Sequence, residues 1–207
     1  MSNFLKRTLS SILLGPIVIF LIFKGNIYYN ALLIICFLCG SYEITKLKNY
    51  FLKIIIFFIF LIFIFSSYGL RNLDNGLEYL YLVITITWLS DIGGFVFGKY
   101  IGGKKINIIS PNKTYSGFIG SIFLSQFSFL SLHILDLKLF GNYFFTSLIF
   151  LFSSILVIIG DLTFSYFKRL ENLKDYSNLI PGHGGIFDRI DGLIFSIIFF
   201  NIFLRLI

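Results

Sequence analysis

The 207-residue chain is 57% apolar, holds 28 phenylalanines and only 3 prolines, and carries 17 Lys and Arg against 10 acidic residues. Apolar runs close to a bilayer crossing in length recur along it, which excludes a soluble globular domain and points to an all-α, polytopic integral membrane helical bundle. The net charge of +7 would suggest nucleic acid in a soluble protein. Here no nucleic-acid partner is expected, because the aromatic rings lie in membrane segments and the cations suit topology and phosphate binding.

About seven spanning segments are expected, over 8–23, 27–47, 51–69, 77–98, 116–137, 143–164 and 191–207, within one membrane-embedded domain covering 1–207. They read as helices because the alternation of barrel strands is missing. Lys6 and Arg7 precede the first run as in a signal peptide, but there is no small-x-small cleavage pattern and Gly15-Pro16 interrupts the run, so a retained helix is expected. With the N-terminus in the cytoplasm, inner loops receive Lys6, Arg7, Lys46, Lys48, Lys53, Lys99, Lys104, Lys105, Lys113, Lys168, Arg169, Lys174 and Arg189. The outer side receives Lys24, Arg71, Lys138 and Arg205, so the alternation obeys the positive-inside rule.

Cys36 and Cys39 lie in the second segment without a second pair or polar ligands, and read as packing residues. Glu43, at that segment's inner end, reads as a snorkelling side chain paired with Lys46, against a supporting role in a polar cavity. The turn from Arg71 to Glu78 reads as an ordinary outer loop. In the fourth segment Asp91 is an acid in an apolar helix, and Gly94 and Gly98 form a G-x-x-x-G suited to close helix packing. Lys113 and Thr114, in Ser110-Pro111-Asn112-Lys113-Thr114, precede a helix start, where free N–H groups favour anions.

The sixth segment runs into the stretch Gly160 to Gly192, which holds half of the acidic residues. Carboxylates suit Mg²⁺, and Lys, Arg and glycine-freed N–H groups suit phosphate oxygens, so the combination fits a metal-bound nucleoside triphosphate. Metal binding is expected at Asp161 and Asp188 first, then at Asp191 and Asp91; Asp188 is equally placed to cap the last helix. Lys168, Arg169, Lys174 and Arg189, with Lys113 from another loop, are expected on phosphate oxygens. Gly182, Gly184 and Gly185 permit backbone N–H groups to converge on an anion. His183 is placed to bind phosphate, protonate a leaving group or brace the loop, and Ser165 to reach a metal or phosphate.

Ser165-Tyr-Phe-Lys168-Arg169, Lys174-Asp175 and Pro181-Gly182-His183-Gly184-Gly185-Ile186-Phe187-Asp188-Arg189-Ile190-Asp191 together resemble the signature of phosphatidate cytidylyltransferases, the CDP-diacylglycerol synthases. Asp91 falls at that family's Trp-x-x-Asp position, and Ser110-Pro111-Asn112-Lys113-Thr114 resembles its Ser-Pro-x-Lys-Thr element. The resemblance covers roughly 85–192, so 81–207 reads as the catalytic portion and 1–80 as N-terminal helices. It implies a bacterial inner-membrane enzyme, with its active site facing the cytoplasm, that joins CTP and phosphatidic acid, uses Mg²⁺ or another divalent cation, and forms a homodimer among membrane lipids. The catalytic set it implies is Lys168, Arg169, Lys174, Asp175, His183 and Arg189, with Ser110, Lys113, Thr114, Ser165, Gly182, Gly184 and Gly185 binding substrate. Phe164 departs from the pattern, since the family usually has an acid there. An alternative is CTP-dependent transfer to an ether lipid phosphate or a polyprenol. A transporter is disfavoured, because its acids would be spread through the bilayer depth.

Overall fold

The computed structural model describes residues 3–105, 113–138 and 140–206, with side chains from residue 10 onward apart from that of Ser11. The described residues form helices α1 (Asn3–Lys24), α2 (Asn26–Lys46), α3 (Tyr50–Arg71), α4 (Gly76–Tyr100), α5 (Tyr115–Ser125), α6 (Ser128–Ile134), α7 (Tyr143–Leu170) and α8 (Phe187–Leu206). No strand occurs among them; two isolated bridges, Lys105 with Thr114 and Ile180 with Gly184, close loops. Among the described residues five stretches are long and apolar enough to cross a membrane: α2, α3, α4, Tyr115–Ile134 and α7. Ile12–Lys24 of α1 is apolar but shorter. The protein is an integral membrane helical bundle.

The elements differ from expectation in three places, each for a local reason. The fifth segment is two helices, because around Gln126 the backbone tightens into three-residue turns, with Gln126 N–H on Phe123 O and Phe127 N–H on Leu124 O. The Gln126 side chain accepts a 2.8 Å bond from Ser147 of α7 at that break. Helix α7 continues to Leu170, about 42 Å in all, so its last turns outrun a hydrocarbon core of about 30 Å. Helix α8 begins at Phe187 rather than 191, which places Asp188 and Asp191 on its first turns; only about 22 Å of it remains beyond Asp191.

Burial is inverted relative to a soluble protein. Ile34, Phe51, Phe58, Phe65, Trp88 and Phe144 are among many large apolar side chains facing outward. Inside, Phe60, Phe150, Phe164, Phe187 and Phe200 are fully buried, and hydroxyl pairs such as Ser153–Ser196 at 2.7 Å and Ser90–Ser154 at 3.1 Å join helices.

Glycine sets the closest crossings. Gly93, Gly94 and Gly98 of α4 lie against Gly117 and Gly120 of α5, where an added Cβ on Gly93 would meet the Gly120 carbonyl and the Ser121 backbone. A second crossing seats Gly160 of α7 on the Asp191 carbonyl of α8, and Gly192 on Val157. This second contact brings Asp161 beside Asp191.

Because backbone cannot step aside at the first crossing, Gly93→Val is expected to destabilise the bundle by about 2 kcal/mol or more. A lowered melting temperature in detergent checks this. Gly15→Ala, at a glycine whose Cβ direction is open, is expected to melt like the parent chain.

Candidate active site

Asp161, Ser165 and Lys168 recur at helical spacing on α7 and so share the face turned toward α8 and the 171–186 loop. Lys168 Nζ lies 2.6 Å from Asp188 Oδ1, and Lys113, just before α5, pairs with Asp161. Ser165 Oγ stands 3.5 Å from Asp161 Oδ1, at the outer limit of a hydrogen bond. The two ion pairs are alike in composition: each joins an acid expected to bind metal to a lysine expected to bind phosphate. They differ in access. The Asp161 side chain is 35% exposed, that of Asp188 only 3%.

Asp188 is held by more than its lysine. Its Oδ2 accepts the N–H groups of Tyr176 and Gly185, each at 2.9 Å. Glu43 performs the matching task from α2. It is fully buried, and its Oε1 accepts from Ser177 Oγ and Ile186 N at 2.7 Å while Oε2 accepts from Phe187 N at 3.2 Å. It therefore caps α8 from another helix, with the helix-start dipole favouring its charge. Lys46 does not pair with Glu43; its ammonium sits 4.2 Å above the Tyr42 ring, which corrects the snorkelling assignment.

The loop glycines serve these same carboxylates. Gly184, at φ +86°, leaves space for Asp188 and Asp175, and a Cβ on Gly185 would fall on the Glu43 carboxylate. The N–H groups of Gly185, Ile186 and Phe187 thus bind the chain's own anions, where an external anion was expected. Below the loop, Phe164 stacks on Phe187 (5.6 Å, 17°) and borders Tyr176. The position where an acid was expected is part of an apolar floor. Burial, reinforced by the nearby Asp188 charge, pushes the Tyr176 phenol far above its ordinary range, so it remains a neutral donor to the Phe164 carbonyl at 3.2 Å.

The other expected residues spread around this centre. Arg189 donates from Nε to the His183 carbonyl at 3.0 Å, and His183 Nδ1 lies 2.7 Å from Ser10 Oγ of α1. Arg169 reaches the Leu173 carbonyl at 3.3 Å. Thr114 is the N-cap of α5, accepting from Gly117 N at 3.1 Å. Lys174 and Asp175 line a cleft of about 530 Å³ with Tyr42, Lys46, Ser177 and Asn178. Gly182 takes a left-handed φ of +78° in the Pro181–Gly184 turn. Ser110 lies outside the described residues.

Asp91 and Asp191 are electrostatic neighbours of Asp161, gathered from α4 and α8 onto α7. Hard carboxylate oxygens fit Mg²⁺. Among the described residues no three Asp, Glu, His or Cys side chains converge closely enough to cage an ion. Two contributors escaped the sequence reading. The sequence reads Glu43 as a snorkelling acid and does not single out Glu171, yet Glu171 accepts the N–H groups of Lys48 and Asn49 at 2.7 Å and ties the α2–α3 link to the end of α7.

Residues 48–207 match the cytidylyltransferase family. The chain is 34% identical over 186 residues, 87% of its length, to a phosphatidate cytidylyltransferase of Staphylococcus haemolyticus (strain JCSC1435), covering 70% of that protein. It is 40% identical over 133 residues, 63% of its length, to one of Staphylococcus aureus (strain COL), covering 50% of that protein. A third, from Staphylococcus epidermidis (strain ATCC 12228 / FDA PCI 1200), is 37% identical over 139 residues, 66% of this chain and 53% of that protein. The chain thus spans about half the length of the latter two.

Glu43→Ala leaves Ser177 and the N–H groups of Ile186 and Phe187 without their acceptor, so a loss of about 3 kcal/mol or more is expected. Hydrogen exchange should rise across 177–187 before it rises in α3. A variant that melts like the parent, with that loop still protected, would contradict the capping role.

Proposed function

The chain belongs to the cytidylyltransferase family, and from that premise we propose that it transfers CMP from CTP to phosphatidate, giving CDP-diacylglycerol and pyrophosphate. The observation that carries this reading is the pair of ion pairs, Lys113–Asp161 and Lys168–Asp188, set at one end of the bundle. Triphosphate recognition needs cations for oxygens and carboxylates for a metal, and here each is held ready by the other.

A phosphatidate oxygen attacks the α-phosphorus of CTP; a new P–O bond forms as the bond to the bridging oxygen of pyrophosphate breaks. The monoester has its second pKa near 6, so it attacks as a dianion without a strong base. The barrier is the meeting of two anions and the charge on the leaving group, which positioning and fixed cations reduce. Lys113, Lys168, Arg169, Lys174 and Arg189 bind the phosphate oxygens. Asp161, Asp188, Asp191 and Asp91 would hold a divalent cation once Lys113 and Lys168 exchange their carboxylates for phosphate oxygens, and that cation would supply further positive charge to the triphosphate. His183, oriented by Ser10, contacts the leaving pyrophosphate. The excess of Lys and Arg at this end supports a cytoplasm-facing site in the bacterial plasma membrane. On the family resemblance the working unit is a homodimer.

Purified protein given Mg²⁺, labelled CTP and phosphatidate is expected to form a CDP-lipid, and to consume CTP only when phosphatidate is present. Asp161→Asn and Lys168→Ala should each lower kcat by about 10² or more while keeping the parent's elution profile. Full turnover in both would remove the proposed site, and CTP consumption without a lipid acceptor would remove the proposed reaction.

A further inference from the structure

The opposite end of the bundle holds a second polar site that the transfer reaction does not use. Helix α3 is capped at its start by Asn49, beside Glu171, and ends at Arg71 about 33 Å away, one bilayer crossing from the candidate active site. There the α1–α2 corner, Gly25 at φ +63° and Asn26 at φ +46°, bends around the Arg71 guanidinium. An added Cβ on Gly25 would fall on that group, so the guanidinium lies directly against the corner.

Arg71 Nε is buried and has no hydrogen-bond partner. Among the described residues the ion pairs are Lys113–Asp161 and Lys168–Asp188, so no carboxylate answers Arg71. Beside it a cavity of about 300 Å³ is lined by Asn26, Ile27, Asn30, Tyr68 and Asn72. Tyr29 also borders it, with its hydroxyl already engaged by Ser67 at 2.6 Å. The lining contains a guanidinium and three amides but no acid. Helix α2 starts at this cavity with no side chain capping it, which adds a favourable dipole end. A planar five-donor fork beside amide donors matches the oxygens of a phosphate. The half-exposed Tyr68, at a span end, matches the headgroup level of a bilayer.

We propose that Arg71, Asn26 and Asn30 bind the phosphate of an anionic phospholipid, on the bilayer face opposite the active site. Inorganic phosphate shares the same chemistry, and the test separates the two.

The full chain in detergent is titrated with phosphatidylglycerol and with phosphatidylcholine, and bound lipid is read by native mass spectrometry, with and without excess inorganic phosphate. Phosphatidylglycerol is expected to bind more tightly than phosphatidylcholine, and Arg71→Gln to weaken it about tenfold. Asn30→Leu, which fills the cavity from α2, should weaken it as well, and it carries the test if Arg71→Gln does not fold. Binding that withstands inorganic phosphate supports the lipid. Arg71-dependent displacement by phosphate keeps the anion site but overturns the lipid as its occupant. Unchanged phosphatidylglycerol binding in folded variants overturns the site.

Discussion

A carboxylate with no exposed surface and no counter-ion persists only where donors surround it, and Glu43 meets that condition with one hydroxyl and two backbone N–H groups. Those N–H groups open α8, the helix that carries Asp188 and Asp191. The start of α8 therefore holds two anions, Glu43 from α2 and Asp188 from its own first turn. Between them they engage Tyr176, Ser177, Gly185, Ile186 and Phe187. The rest of the candidate site is built on a loop fastened in this way, which explains why Gly184 and Gly185 are required by the chain's own acids.

Beneath the fastened loop, Phe60, Phe164, Phe187 and Tyr176 form a continuous aromatic layer. It joins α3, α7 and α8 to the 171–186 loop through ring contacts. Charge above that layer is balanced locally, with lysines on Asp161 and Asp188. Lys113 and Lys168 are thereby held in place by carboxylates, yet these cations remain able to change partners.

Much of this was legible in the sequence, because hydrophobic length and Lys/Arg asymmetry are local properties and the signature residues keep fixed spacing. Helices lie near their expected places, although five stretches rather than seven are long and apolar enough to cross a membrane among the described residues. Lys168 does meet Asp188, while Asp161 pairs with Lys113. The rest depended on contacts between distant positions. Glu43 receives bonds from residues 134 to 144 positions away, and nothing near Glu43 announces that. The glycines were read as freeing N–H groups for a ligand, since spacing alone cannot tell which anion they meet. Phe164 showed that an acid was missing, but only packing showed an aromatic floor in its place. The break at Gln126 needed its partner on α7 to be seen.

The two glutamates tie the chain in opposite directions. Glu43 reaches forward from α2 into the signature loop, while Glu171 reaches back from the end of α7 to the link between α2 and α3. Glu43 also lies ahead of residues 48–207, the portion shared with the family at large. The front helices are thus not an interchangeable anchor. A graft joined at residue 48 would keep the signature intact, yet it would inherit its cap for α8 from a foreign donor, and the two parents would have to agree at that single acid.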